Sequence, residues 1–269
     1  MQEWRVEKPQ SIDVEGVRRL EVRMIGGSVD VVGRTEDADA GAAQVEVTKV
    51  SGPLVVTLED GVLSVHHERL TWGGLLDWVS NRRADAVVSV SVPADCPVEL
   101  GVVSADAVVS GIAADRTAVK SVSGDVTLDG VRSDISAQTV SGDLETRELG
   151  GTLSFRTVSG DLTVVRGESD TVTAETVSGD LTLDLELRPG GRIDCTSVSG
   201  DVTVRMPETA GIRVEAKTMS GSLDSAFDGV TTDRRPGSSR MTGQVGSGDG
   251  RLTAKTVSGD VTLLRRAPA

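Results

Sequence analysis

Apolar and polar side chains alternate along this chain in short segments that recur from one end of its larger part to the other. Ile135, Leu153, Val172, Ile193, Val214 and Leu252 each precede, by two positions, a second apolar residue: Ala137, Phe155, Ala174, Cys195, Ala216 and Ala254. Polar residues follow at Gln138, Arg156, Glu175, Lys217 and Lys255. A second set opens with Val126, Leu144, Leu162, Leu181, Val202, Leu223 and Val261, and the next residues are Thr127, Glu145, Thr163, Thr182, Thr203, Asp224 and Thr262. Period two is the mark of a strand with one buried face. Each repeat is therefore predicted as strand, turn, strand, loop.

The turn has its own signature. Val-Ser-Gly-Asp starts at Val122, Val140, Val158, Val177, Val198 and Val257, and degenerate copies start at Val103, Met219 and Met241. The nine hydroxyl anchors, from Ser104 through Thr242 to Ser258, recur at intervals of 16–22 residues. A unit of that length cannot bury its own apolar face, whereas stacked copies can. Equivalent positions match in residue type from copy to copy, as parallel coils require and antiparallel hairpins do not. The predicted fold is all-β: a right-handed, single-stranded parallel β-solenoid, or β-helix, with repeats of roughly 20 residues. In the corner, Gly is expected to take a positive φ, and Ser and Asp to hold the bend through backbone hydrogen bonds. The Val or Met before each hydroxyl faces outward if alternation runs unbroken. A kink at the corner turns it inward, which is the expectation here.

Residues 1–95 keep the strand character without the motif. Strands are predicted around Leu20 and Val29, on either side of Gly26-Gly27-Ser28, and at Val45–Val50, Leu54–Leu58, Val62–His66 and Val87–Val92. No linker separates them from residues 96–269, so one continuous domain is expected, with 1–95 its divergent end and 96–269 its regular part. Residues 69–83 depart from the pattern. Trp72, Leu75, Leu76 and Val79 fall at helical spacing, with Trp78 among them and Arg82 and Arg83 beside them. This insertion is expected to cap the solenoid, or else to dock a partner or a membrane.

Composition agrees with an all-β core. Aromatics are 2% of the 269 residues, with no Tyr, so Val, Leu, Ile, Ala and Thr must fill the interior. A formal charge of −13 excludes nucleic acid as a primary partner. Cys96 and Cys195 are the only cysteines and form no metal or disulfide pattern. No stretch reads as a signal peptide or reaches the ~18 apolar residues of a membrane span, so a cytoplasmic protein is expected, working at most at the inner face of the membrane.

The candidate chemistry is thin. Asp125, Asp143, Asp161, Asp180, Asp201 and Asp260 occupy one position of the repeat, and stacked coils would set them about 4.8 Å apart. That is near the ~5–5.5 Å of a retaining glycosidase pair. Every rung repeats the pair, however, whereas an active site is a unique constellation. A calcium ladder over Asp125, Asp143, Asp161, Asp180 and Asp201 is the remaining metal reading, and solvated turn-capping aspartates are the plainer one. His66 and His67 are adjacent on a strand and face opposite sides, one exposed and one half-buried, so they cannot serve one site. Gly246–Gly250 lacks the Lys-Ser/Thr of a phosphate loop. No catalytic residue and no cofactor is predicted.

The repeated Thr-Val-Ser-Gly-Asp-Leu-Thr-Leu units, with the divergent opening at Gly26-Gly27-Ser28, resemble the bacterial Toastrack, or adhesin-like, family of β-strand repeat proteins. The resemblance covers the chain from about Leu20 onward and its motif is structural. It implies an envelope- or stress-linked scaffold without enzymatic activity. The expected function is a non-catalytic interaction scaffold, and the alternative is an adhesin-like module that binds carbohydrate or calcium. The expected partner is another protein. Membrane contact is expected only through that partner or through 69–83, and self-association only through solenoid faces or ends.

Overall fold

The computed structural model describes residues 1–35, 41–67 and 84–267. Every regular element among them is a β-strand. They divide into two compact units, Met1–Ser133 and Asp134–Ala269.

The first unit opens with β1 (Gln2–Val6), β2 (Gln10–Val14), β3 (Arg19–Met24), β4 (Gly26–Arg34), β5 (Ala43–Ser51) and β6 (Leu54–Glu59). It continues with β7 (Val62–His67), β8 (Asp85–Pro93), β9 (Val98–Val102), β10 (Asp106–Ser110), β11 (Arg116–Ser121) and β12 (Val126–Asp129). Consecutive strands bend at a corner to make a coil, and coils pair in parallel. Thr117 lies opposite Val98, Ala107 opposite Val126, and Asp106 opposite Ser28. The stacking order is not the chain order. β3 pairs with both β7 and β9, and β4 with both β8 and β10. The coil 19–34 therefore sits inside the stack, with β7 and β8 on one side and β9 and β10 on the other.

The second unit holds β13 (Asp134–Gln138), β14 (Leu144–Arg147), β15 (Leu153–Arg156), β16 (Leu162–Glu175), β17 (Leu181–Thr196) and β18 (Val202–Pro207). After these come β19 (Ile212–Thr218), β20 (Leu223–Ser225), β21 (Val230–Arg235), β22 (Ser238–Val245), β23 (Gly250–Lys255) and β24 (Val261–Arg266). Parallel registers run Ile135, Leu153, Val172, Ile193 on one strand of each coil and Leu144, Leu162, Leu181, Val202 on the other. Here too one coil is threaded. β23 pairs with β17 on one side and β19 on the other, and β24 with β18 and β20. The coil 250–266 thus lies between 192–207 and 212–225.

Antiparallel strands, which the repeat does not predict, cover the outer coils. In the first unit β6 pairs with β7, β5 with β8, β1 with β6 and β2 with β5. In the second, β22 pairs with β19 and β21 with β22. An end coil left bare would expose a row of unpaired N–H and C=O groups. The sequence carries the turn signals for these returns. Asp60 and Gly61 both have positive φ, 51° and 80°, in the two-residue hairpin that Asp-Gly favours. Pro236-Gly237, with φ 81° at the glycine, closes β21 onto β22. Met241-Thr242-Gly243-Gln244, read from sequence as a corner, lies instead within β22.

The predicted inward rows form the core. Ile135, Leu153, Val172, Ile193, Leu252 and Val214 are all buried, as are Ala137, Phe155, Ala174, Cys195, Ala254 and Ala216 beside them. Each fully buried Leu, Ile or Phe contributes roughly 1.5–3 kcal/mol. The order of the row, with Leu252 before Val214, records the threading.

Candidate functional site

The corners carry the surface that sequence and structure single out. The motif is one residue longer than it reads. Ser121, Thr139, Thr157, Thr176, Ser197, Thr218 and Thr256, each directly before the Val or Met, are buried. The Ser121 hydroxyl donates to the Gly124 carbonyl and that of Thr139 to the Thr157 hydroxyl. The other five accept the N–H of the corner glycine, from Gly160 to Thr157 at 2.9 Å, Gly179 to Thr176 at 2.9 Å and Gly200 to Ser197 at 2.8 Å. Gly221 and Gly259 do the same with Thr218 and Thr256. A buried N–H that no strand can reach is satisfied in this way.

Because the hydroxyl residue takes the inward place, the next residue points out. Val140, Val158, Val177, Val198 and Val257 are 45–50% exposed and Met219 is 62% exposed. The expected inward kink is absent; alternation runs straight through the corner, and the signal was the Thr or Ser that precedes each Val. In the first unit Val103 and Val122 are half-buried. Backbone bonds set the order of the exposed row. Ser159, Ser178, Ser199, Ser258 and Ser220 donate their N–H to the carbonyls of Val140, Val158, Val177, Val198 and Val257, at 2.9–3.0 Å. The six apolar side chains are therefore consecutive rungs of one ridge, about 24 Å long at ~4.8 Å per rung.

The glycine is required for a different reason than its sequence suggests. Gly124, Gly160, Gly179, Gly200, Gly221 and Gly259 do not have positive φ. A Cβ on Gly179 would instead lie 1.9 Å from the Gly160 carbonyl oxygen, and one on Gly200 1.8 Å from that of Gly179. The backbones of successive corners meet where the side chain would be.

The aspartates are brought together as a ladder, each holding the next coil. The Asp143, Asp161, Asp180 and Asp201 carboxylates accept the N–H of Asp161, Asp180, Asp201 and Asp260, all at 2.8 Å. Asp260 in turn accepts the N–H of Ser222 at 2.7 Å. In the first unit Asp106 accepts that of Asp125 at 3.2 Å. One oxygen of each such carboxylate is committed to the backbone. Among the described residues no three His, Cys, Asp or Glu side chains gather as a metal site.

Other candidates fall away from the ridge. His67 is buried and His66 half-buried, one step deeper each than the sequence suggests. The His67 Nδ1 accepts the Ile25 N–H at 3.2 Å, and burial holds its pKa below the ordinary imidazole value. Burial pushes the thiols up, Cys96 to about 11 and Cys195 to about 12, so neither is a nucleophile at neutral pH. Asp184 is buried between Arg205 and Arg266, ion-paired to both. Burial alone would raise its pKa; the hydrogen bonds and charges of the two arginines outweigh that and lower it. Trp72, Leu75, Leu76, Trp78 and Val79 lie outside the described residues. Among the described residues no helix is long and apolar enough to cross a membrane.

Parallel coils with hydroxyl-capped Gly-Asp corners define a β-solenoid repeat protein. The chain belongs to the family described as Toastrack DUF4097, whose model matches residues 17–264. Curated proteins give no match. A crystal structure of a candidate adhesin from Bacteroides fragilis NCTC 9343 is similar at TM-score 0.49, with 11% identity over 96% of this chain and 98% of that one. A candidate lipid-binding protein from Parabacteroides distasonis ATCC 8503 gives TM-score 0.42 and 11% identity over 97% and 98%. A candidate adhesin from the same organism gives 0.37 and 13% over 96% and 97%.

Proposed function

We propose that this protein is a non-catalytic interaction scaffold and that the Val/Met ridge of its second unit is the surface that binds a protein partner. The exposed ridge carries the reading. Six consecutive apolar side chains near or above half exposure form a contiguous apolar row of the kind that marks a binding surface. The chemistry around it supports binding over catalysis. Each rung repeats its neighbour, so no rung offers the unlike acid, base or nucleophile that a reaction needs. The two cysteines are buried with raised pKa values, and the carboxylates serve the backbone.

The test is a ridge variant, Val158→Thr with Val177→Thr and Val198→Thr, which keeps the β-branched shape and makes the surface polar. Its melting temperature should stay near that of the parent, since these side chains are half exposed. Affinity capture from the native host should then lose the partners held by the parent protein. Equal capture of the same partners by both proteins refutes the ridge as the binding surface.

A further inference from the structure

We infer that the occupant of the ridge is an amphipathic α-helix with basic residues along one side of its apolar stripe; this rests on the reading of the ridge as the binding surface. The first support is charge. On one side of the ridge, exposed carboxylates stand at five of its six rungs, Asp143, Asp161, Asp180, Asp201 and Asp260, with Ser222 at the Met219 rung. Each is pinned through one oxygen to a backbone N–H, so the row is fixed before any partner arrives. The other side is mixed. Arg156 is paired with Glu175 at 2.9 Å and Lys217 with Glu215 at 3.0 Å, Gln138 and Thr196 are neutral, and Lys255 is an exposed cation. A partner that covers the ridge must therefore bring positive charge to one flank only. A second copy of this chain would instead bring another −13.

The second support is spacing. Rungs repeat at ~4.8 Å, and the apolar stripe of a helix repeats at ~5.4 Å per turn. Over five intervals the lag is about 3 Å, less than one rung. An extended strand laid along the ridge repeats same-face residues at roughly 6.6–6.8 Å and falls behind by about two rungs. A helix of about 16 residues spans the ~24 Å ridge. Lys or Arg stems reaching over one edge then meet the aspartates, while the opposite edge offers neutral Gln138 and Thr196, the ion-paired Arg156 and Lys217, and the like charge of Lys255. This mode of recognition, an apolar stripe for affinity and flanking charge for orientation, is common for helical partners.

The test uses the full chain and two synthetic helical peptides of that length, with one Leu stripe in common and either Lys or Glu along one flank of it. Binding is followed by fluorescence anisotropy at low and high salt. The Lys peptide is expected to bind and the Glu peptide not, and added salt should weaken the complex. Asp180→Asn with Asp201→Asn keeps the oxygen that accepts the backbone N–H while removing the charge. This pair should weaken Lys-peptide binding by about tenfold or more at an unchanged melting temperature. Val177→Thr with Val198→Thr should do likewise. Equal binding of both peptides overturns the basic class of partner and leaves the ridge standing. Binding of neither overturns the helix, whereas the ridge itself is judged by capture of native partners. A dimer in sedimentation that the Val→Thr pair dissolves assigns the ridge to a second copy and also overturns the inference.

Discussion

Replacing Gly200 by Ala isolates the contact on which the corner depends. In most settings a glycine with ordinary φ gains about 0.4–1 kcal/mol from alanine, because the unfolded chain loses freedom. Gly200 has no positive φ to protect it. The added Cβ would nevertheless stand 1.8 Å from the Gly179 carbonyl oxygen and 2.6 Å from its carbon. Ordinary contact begins near 3.4 Å, so the two corners must part by more than an ångström, and both obstructing atoms are backbone. The bonds that cross this gap are Ser199 N–H to Val177 O at 2.9 Å and Asp201 N–H to the Asp180 carboxylate at 2.8 Å. Losing them at about 1 kcal/mol each, with about 1–3 kcal/mol of overpacking strain, gives a destabilisation of about 3–5 kcal/mol. Gly130→Ala is the control. It has φ 61° and open space around its Cβ, so only backbone strain of about 1–2 kcal/mol is expected. Urea denaturation of the two variants beside the parent decides the matter. A Gly200→Ala midpoint equal to or above that of Gly130→Ala would refute close approach as the reason for the corner glycine.

Three further outcomes are expected. Thr176→Val keeps the shape of the buried side chain but leaves the Gly179 N–H without its 2.9 Å acceptor, so a loss of about 1–3 kcal/mol in urea denaturation should follow; an unchanged midpoint would show that the hydroxyl is dispensable. Asp201→Ala should cost about 1 kcal/mol by orphaning the Asp260 N–H, Asp201→Asn much less, and millimolar calcium should leave the parent's melting temperature unmoved; a steady rise with calcium that chelator reverses would reassign the row to metal. His67 has its pKa held below 6.5 by burial, so the unfolded chain takes up protons first as pH falls. Stability should be full above about pH 6.5 and decline below it, and His67→Asn should flatten the decline without abolishing it, since His66 shifts in the same direction. A melting temperature independent of pH between about 7.5 and 5.5 would refute this.

Much of the coil was legible because its physics is local. Ile193, Cys195, Val202 and Val204 declare an inward face by alternation alone, and Ser-Gly-Asp declares a bend. What the sequence hides is neighbourhood. Ser199, Ser220 and Ser258 sit in nearly identical units, so nothing local says that Ser258 rather than Ser220 follows Ser199 in the stack. The same equivalence makes Met241-Thr242-Gly243-Gln244 look like a corner, although pairing with β19 on one side and β21 on the other fixes it as a strand. The outward ridge is hidden for a narrower reason: a bend suggests broken alternation, whereas the buried Thr or Ser before each Val takes the inward place and keeps it intact. The role of glycine was hidden because a missing side chain has two uses, and only the distance to the next backbone separates them.

The threaded coil also sets the order in which the second unit can be completed. A sequential solenoid grows as it is synthesised, each new coil finding its template already in place. Here residues 212–225 are made before residues 250–266, yet the later segment occupies the slot between them and 192–207. Until it arrives, β19 and β20 have no parallel partner and β18 presents an open edge. Vectorial folding therefore stops one coil short, and the closing step is an insertion between two edges instead of an addition to one. The pairing it makes, Val202 with Val261, joins residues far apart in the chain, the kind of contact that slows folding. A nascent or truncated chain is left with a gap shaped for a segment that another copy can also supply, which makes this slot the natural point of strand exchange during synthesis.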